Sequence, residues 1–351
     1  MSSEPQKPAD LDSSTQDALD SVKPLYNLLG TVIAVGVVAL AVSLSPALRS
    51  IFSNPSSLLK NFSRPMASVA TSNGHANGHT NGNGIASQAL NATKRPWNAR
   101  GHADHGWLYT YHSFSFASYY DPSFQSYGPL RVINEDRVEK GTGFGEHSHA
   151  EFLIWSYIVK GELEHKDSMG NLEYLRRGEV QFTSAGTGIA HSEYNRNKNE
   201  DVHFLQIWAK PNVRGLKPTY HTAKYTDEMK TDKLCRIMES TDRAASKDGA
   251  AKEEGSPIPL AADISMDASI LSPGKSVVHE LVKEGRRKLW VHLIMSGKTQ
   301  PKTGGAKIKF GNQVLGEGDG AFVETDKSIR QVEIESVGEK PAEFLLFDMT
   351  P

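Results

Sequence analysis

The chain predicts an all-β protein whose folded part is two barrels in series, and three observations carry that expectation. Between Gly141 and Asn195, short apolar and β-branched runs alternate with turn residues. From Ile258 onward the same texture returns in ASIL, KSVVHELV, KLWVHLIMSG, AKIKFG, GAFVE, RQVEIESV and EFLLFDM, punctuated at the spacing of a barrel. A length of 351 residues leaves room for both domains and for further segments.

In chain order, residues 1–23 are polar, with Glu4, Asp10, Asp12, Asp17 and Asp20 against Lys7 and Lys23, and read as disordered. Residues 24–48 read as a transmembrane helix: LLGTVIAVGVVALAVSL (28–44) is apolar almost throughout and no charge occurs from Leu25 to Leu48. Such a run is long enough, with its flanks, to cross a hydrocarbon core of about 30 Å. The leader is long and net acidic, unlike that of a cleaved signal peptide. Arg49, Lys60 and Arg64 on the C-terminal side favour placing the rest of a single-pass chain in the cytosol. Asn61-Phe-Ser and Asn91-Ala-Thr would be glycosylation acceptors under the opposite orientation. Residues 49–94 read as a low-complexity linker, since TSNGHANGHTNGNG (71–84) cannot bury a core, and His75 and His79 within it read as solvated.

The first barrel is expected over 95–215, a connector over 216–254 and the second barrel over 255–351. FLIWSYIV (152–159) has the composition of a buried strand, and DSMGN (167–171) that of a hairpin turn with Gly170 free to take positive φ. VHFLQIWA (202–209) reads as the closing strand of the first barrel, ended by Pro211. A net charge of −2 shows no nucleic-acid footprint. Cys235 is the sole cysteine, which excludes an intrachain disulfide and fits a reducing compartment.

The chemistry concentrates in two short motifs. GTGFGEHSH sets His147 and His149 two residues apart, and GTGIAHSEYN repeats the spacing with His191 and Glu193. Residues i and i+2 of a strand project from one face, so two facing strands can bring four donors into one cavity. Three imidazoles and a carboxylate suit a mid-series divalent ion such as iron, manganese or nickel. Among the other histidines, His165 and His203 have no partner at that spacing and His279 and His292 stand alone, so these four read as structural. His102, His105 and His112 invite a metal reading too. His112, Phe114 and Phe116 would alternate onto one face of an entry strand.

Those motifs resemble the two cupin motifs. More narrowly, RGHADHGWLYTYHSFSFASYYDP (100–122), LRVINED (130–136), GFGEHSH, HKDSMGN (165–171) and SAGTGIAHSEYN (184–195) resemble the pirin family, including its quercetinase-like bacterial members. The resemblance is strong over about 95–215 and weaker beyond. It implies a monomeric bicupin holding one metal in the N-terminal barrel, iron foremost, with manganese, nickel, cobalt, copper and zinc open. Its ligand pattern falls on His147, His149, His191 and Glu193. For His102, His105 and His112 the resemblance implies hydrogen bonding and packing instead. The C-terminal cupin, with no His-x-His pair, is expected to lack a metal. Leu153 stands where cupins commonly carry an acidic residue, and Glu151 is a candidate to compensate.

The activity implied is oxygen-dependent opening of a flavonol ring of the quercetin type, with a small phenol and O2 as the partners. Glu193 would be a ligand or the general base that accepts the substrate's hydroxyl proton. Phe144 is a candidate wall of the pocket, and Trp155 a core residue. The competing reading is an iron-dependent, redox-responsive regulatory protein that binds a partner without turnover.

Overall fold

The computed structural model describes residues 90–244 and 255–351. The chain divides into two compact units, Met1–Gly82 and Asn83–Pro351, and every described residue belongs to the second. The expected disordered N-terminus, the span over 24–48 and the linker up to residue 89 lie outside the described residues. Among the described residues, no helix is long and apolar enough to cross a membrane.

Each barrel is a seven-stranded sheet closed against a four-stranded one. In the first, the large sheet runs Thr219–Lys224, Glu179–Ser184, Leu153–Lys160, Val202–Ala209, Leu130–Val138, Leu108–His112, Gly101–Asp104. Its small sheet runs Gly143–His149, Ile189–Tyr194, Glu162–Asp167, Leu172–Arg176. The second barrel repeats the plan, with Lys288–Leu293 and Ala342–Met349 at the centre of its large sheet. The hairpin expected at Asp167–Asn171 forms, with Gly170 at φ +94°.

Three boundaries differ from expectation. Ala92–Arg95, expected in the linker and the first barrel, is an edge strand of the second barrel, paired to Gly320–Glu324. Thr219–Lys224, expected in the connector, extends the first barrel's large sheet beside Glu179–Ser184, so Val202–Ala209 is central rather than closing. Cys235–Ser240, also expected in the connector, pairs with Ile264–Leu271 in the second barrel. All three are short strands of six residues or fewer. Their pairing partners lie far away in sequence or in the other barrel, so local composition carries little of the signal.

The two large sheets pack on one another. Phe114, Ile133, Trp155 and Leu205 of the first barrel share one apolar cluster with Met266, Trp290, Leu345 and Phe347 of the second. Each fully buried side chain of this kind contributes about 1.5–3 kcal/mol. Strand alternation therefore assigns each large-sheet strand two duties. In Leu130–Val138, Ile133 and Glu135 face the other barrel while Asn134 and Asp136 line the first barrel's interior. The second barrel spends its interior on packing, with Val277, Leu289, Val291, Leu293, Ile308 and Phe310 in one cluster.

Candidate metal centre

The strands Gly143–His149 and Ile189–Tyr194 are antiparallel neighbours with His191 opposite His147. The register shifts between His191 and Glu193, which then stands opposite Phe144. Unbroken pairing from His191 would place Gly145 opposite Glu193, so the GFGEHSH strand carries one extra residue, a β-bulge. A Cβ on Gly143 would meet the Glu193 carbonyl oxygen at 2.3 Å, so the strand crosses here only as glycine. Gly141 at φ +72° donates its N–H to Asn195 O at 2.9 Å, and Asn195 N–H returns to Thr142 O at 2.8 Å. The first glycine and the last asparagine of the paired motifs thus fasten the two strands together.

His147, His149 and His191 each offer a ring nitrogen within 4.8 Å of the others. His147 Nδ1 lies 2.8 Å from the Gly145 carbonyl, to which it donates, and His191 Nδ1 lies 2.9 Å from His165 Nε2. The Nε2 atoms of His147 and His191 are consequently turned toward each other at 3.1 Å. Two imidazole nitrogens presenting lone pairs at that separation suit a shared cation, and the remote nitrogens are held as metal-ligating histidines require. Burial, followed by the neighbouring His191 and His147, depresses the His149 pKa to about 3. Burial likewise depresses His191 to about 4. Neutral imidazole is the form that ligates. The donor set fits a divalent ion.

Glu193 is fully buried and lines the same cavity, although it is outside the tight trio. Ser156 Oγ donates to its Oε1 at 3.3 Å and Gln206 Nε2 to its Oε2 at 2.8 Å. Burial raises its pKa against the pull of His165 and His147.

The cavity between the two sheets holds about 390 Å³, within the range of small-molecule sites. Trp107, Phe116, Phe144 and Trp208 supply aromatic walls, and Thr110, His112, Asn134, Asp136 and Gln206 a polar one. Phe144 is the wall expected of it, and Trp155 lies in the inter-barrel core as expected. His112, expected to be structural, hydrogen-bonds Asn134 at 2.8 Å and lines the cavity as well. The strand ends at His112, so Phe114 turns to Trp290 in the second barrel while Phe116 packs on Trp208. His165, also expected to be structural, is the partner that orients His191. Its signal is hidden in the sequence, because it sits on the neighbouring strand opposite Glu193. Asn134 and Asp136 share a face by their i and i+2 spacing, but the polar run Asn134-Glu135-Asp136-Arg137 does not tell which of the two faces turns inward. Leu153 is packed in the core. Glu151 does not compensate at the metal centre: at φ +60° its carboxylate accepts the Gly215 N–H at 3.1 Å.

Fold and centre together define a two-barrel cupin protein with a trio of metal-competent histidines in its N-terminal barrel. Residues 93–209 match the model of the Pirin family, and residues 244–349 that of the quercetinase C-terminal cupin domain. The chain is 39% identical over 205 residues to quercetin 2,3-dioxygenase of Escherichia coli K12, covering 58% of this chain and 82% of that protein. It is 34% identical over 243 residues to a putative quercetin 2,3-dioxygenase of Pseudomonas aeruginosa, covering 69% and 94% respectively. Among solved structures, the bacterial pirin YhhW of Escherichia coli in complex with nickel(II) superposes with a TM-score of 0.61 at 33% identity, over 74% of this chain and 99% of that one. The chain belongs to the pirin family.

Proposed function

We propose that this protein is a metal-dependent dioxygenase that opens the ring of a quercetin-type flavonol, its metal held by His147, His149, His191 and Glu193. The observation that carries the reading is the convergence of the His147 and His191 Nε2 atoms, beside His149, at an aromatic-walled cavity. The names of the relatives and the nickel complex of the bacterial pirin support the same chemistry. A bound divalent ion, iron foremost, supplies the positive charge that lowers the pKa of a coordinated hydroxyl.

The remaining work falls to the chain. Gly145 and His165 hold two of the imidazoles in one tautomer. Glu193, on moving off the ion, would accept the substrate's hydroxyl proton, with Gln206 and Ser156 fixing its position. Trp107, Phe144 and Trp208 flank a planar guest and keep water from it.

The full-length chain loaded with iron should consume oxygen in the presence of quercetin, and His149→Ala should abolish the uptake. No uptake across iron, manganese, nickel, cobalt and copper would refute the enzyme. Metal-dependent capture of a protein partner without product would establish a regulatory protein in its place.

The uncharged apolar run over 24–48 supports a further reading, a single-pass anchor with the barrels on the cytosolic side. Release of the intact chain from membranes by alkaline carbonate would refute the anchor.

A further inference from the structure

The cavity has a polar side that the metal centre uses only in part. Cross-strand register arranges the polar residues of the large sheet into two rungs. In one, Gln206 stands opposite Asn134, and Asn134 opposite His112. This rung is engaged: His112 bonds Asn134, and Gln206 bonds Glu193. In the other, Phe204 stands opposite Asp136, and Asp136 opposite Thr110. Asp136 is only 3% exposed, yet its Oδ1 accepts no hydrogen bond, and the Thr110 hydroxyl makes none. Thr110 is close enough to ease the charge on the carboxyl without the alignment of a hydrogen bond. Both residues line the cavity.

A buried carboxyl oxygen without a donor is costly, and such groups persist where something other than the fold supplies the partner. Asp136 does no bonding for the barrel interface, a task that falls to Glu135 beside it. Its rung borders the apolar cluster of Leu108, Val138 and Phe204 on which Trp107 and Phe144 pack. An aromatic ring resting on that cluster would bring a ring hydroxyl to the carboxyl.

We propose that Asp136, with Thr110 beside it, is a binding subsite for a substrate hydroxyl remote from the metal, so that the cavity selects polyhydroxylated aromatic compounds over unsubstituted ones. This rests on the flavonol reading of the site and adds the residue that reads the hydroxylation pattern. Asp136 is a positioning and specificity residue, distinct from the groups at the reacting atoms.

The test is a pair of dissociation constants for the metal-loaded full-length chain, measured by quenching of tryptophan fluorescence. The probes are quercetin and 3-hydroxyflavone, which shares the core but lacks the other ring hydroxyls. Asp136→Leu should weaken quercetin about tenfold or more and leave 3-hydroxyflavone within about twofold. Asp136→Asn, which keeps an acceptor, should restore most of the quercetin affinity. Thr110→Val should give the same selective loss in smaller measure, and it decides the matter if the leucine variant fails to fold. Equal losses for both compounds, or no loss for either, would overturn the subsite while leaving the flavonol reading in place. Failure of the wild-type protein to bind either compound would overturn both.

Discussion

At the scale of single residues, the metal centre depends on groups that never face the ion. His165 is the clearest. Its Nε2 lies 2.9 Å from His191 Nδ1, and its ring stacks on Tyr220 with centroids 4.9 Å apart. Burial depresses its pKa to about 4, so it stays neutral beside the histidine it orients. Removing such a partner typically costs about 10–100-fold in metal affinity. His165→Leu is accordingly expected to weaken iron or nickel binding by that factor in a chelator competition, with the near-ultraviolet circular dichroism unchanged. Retained affinity would assign His165 to packing alone. The sequence could not nominate it, because its i+2 neighbour Asp167 caps the hairpin through Met169 N–H and Asn171 N–H rather than joining the trio.

At the scale of elements, the bulge between His191 and Glu193 decides which side chains share a cavity. The i+2 spacing puts the pairs on one face of each strand, and that much is legible in the sequence. The extra residue between Phe144 and His147 is not, since a bulge is set by how two distant strands meet. Gly143→Ala would force a Cβ against Glu193 O and Tyr194 Cα, both backbone atoms and both nearer than 3 Å. Overpacking of this kind costs about 1–3 kcal/mol. The variant should show that loss in urea unfolding together with impaired metal binding, because the strand must shift to relieve the clash. Gly145→Ala, where the nearest atom to the added carbon is Tyr194 Oη at 3.9 Å, should be near neutral in stability.

At the scale of the whole molecule, the two barrels are joined by a buried carboxylate. Glu135 accepts from Arg100 Nη1 at 3.0 Å, His203 Nε2 at 3.2 Å, His292 Nε2 at 3.1 Å and Met295 N–H at 2.8 Å. Burial opposes its charge, but His203, His292 and Arg100 outweigh that and hold its pKa well below the usual carboxylate range. Glu135→Ala strands the Arg100 charge in the interior, and loss of one partner of a buried pair costs about 3–5 kcal/mol. Urea unfolding of the variant should show that loss and a transition split between barrels.

The second barrel adds a pH signature. Burial works against ionisation of Asp267 and Asp348, yet His279 leads the contacts that keep both below their ordinary values. A carboxylate with a depressed folded-state pKa stabilises above its unfolded value, near 3.9, and that contribution is lost as pH falls through the folded value. For His279 burial is again opposed, and the two carboxylates raise its pKa. Its stabilisation is complete below about 6.5 and is lost as pH rises through the raised value. Thermal stability should therefore fall on acidification below about pH 4 and again above neutrality. In His279→Asn the alkaline fall should vanish and the acid fall should shrink, with Arg236 and Arg287 holding what remains of it.

The sequence by itself determined the β architecture of both barrels and the strand faces from which His147, His149, His191 and Glu193 project. Those follow from local periodicity and from motif residues such as Gly141 and Asn195, which act within a few strands of one another. Only the tertiary structure decided that Ala92–Arg95 crosses to the second barrel, that His165 stands behind His191, and that Asp136 faces the cavity while Glu135 turns to the other barrel. Each of those depends on register and packing between segments far apart in the chain, and the energy that fixes them arises when the sheets meet.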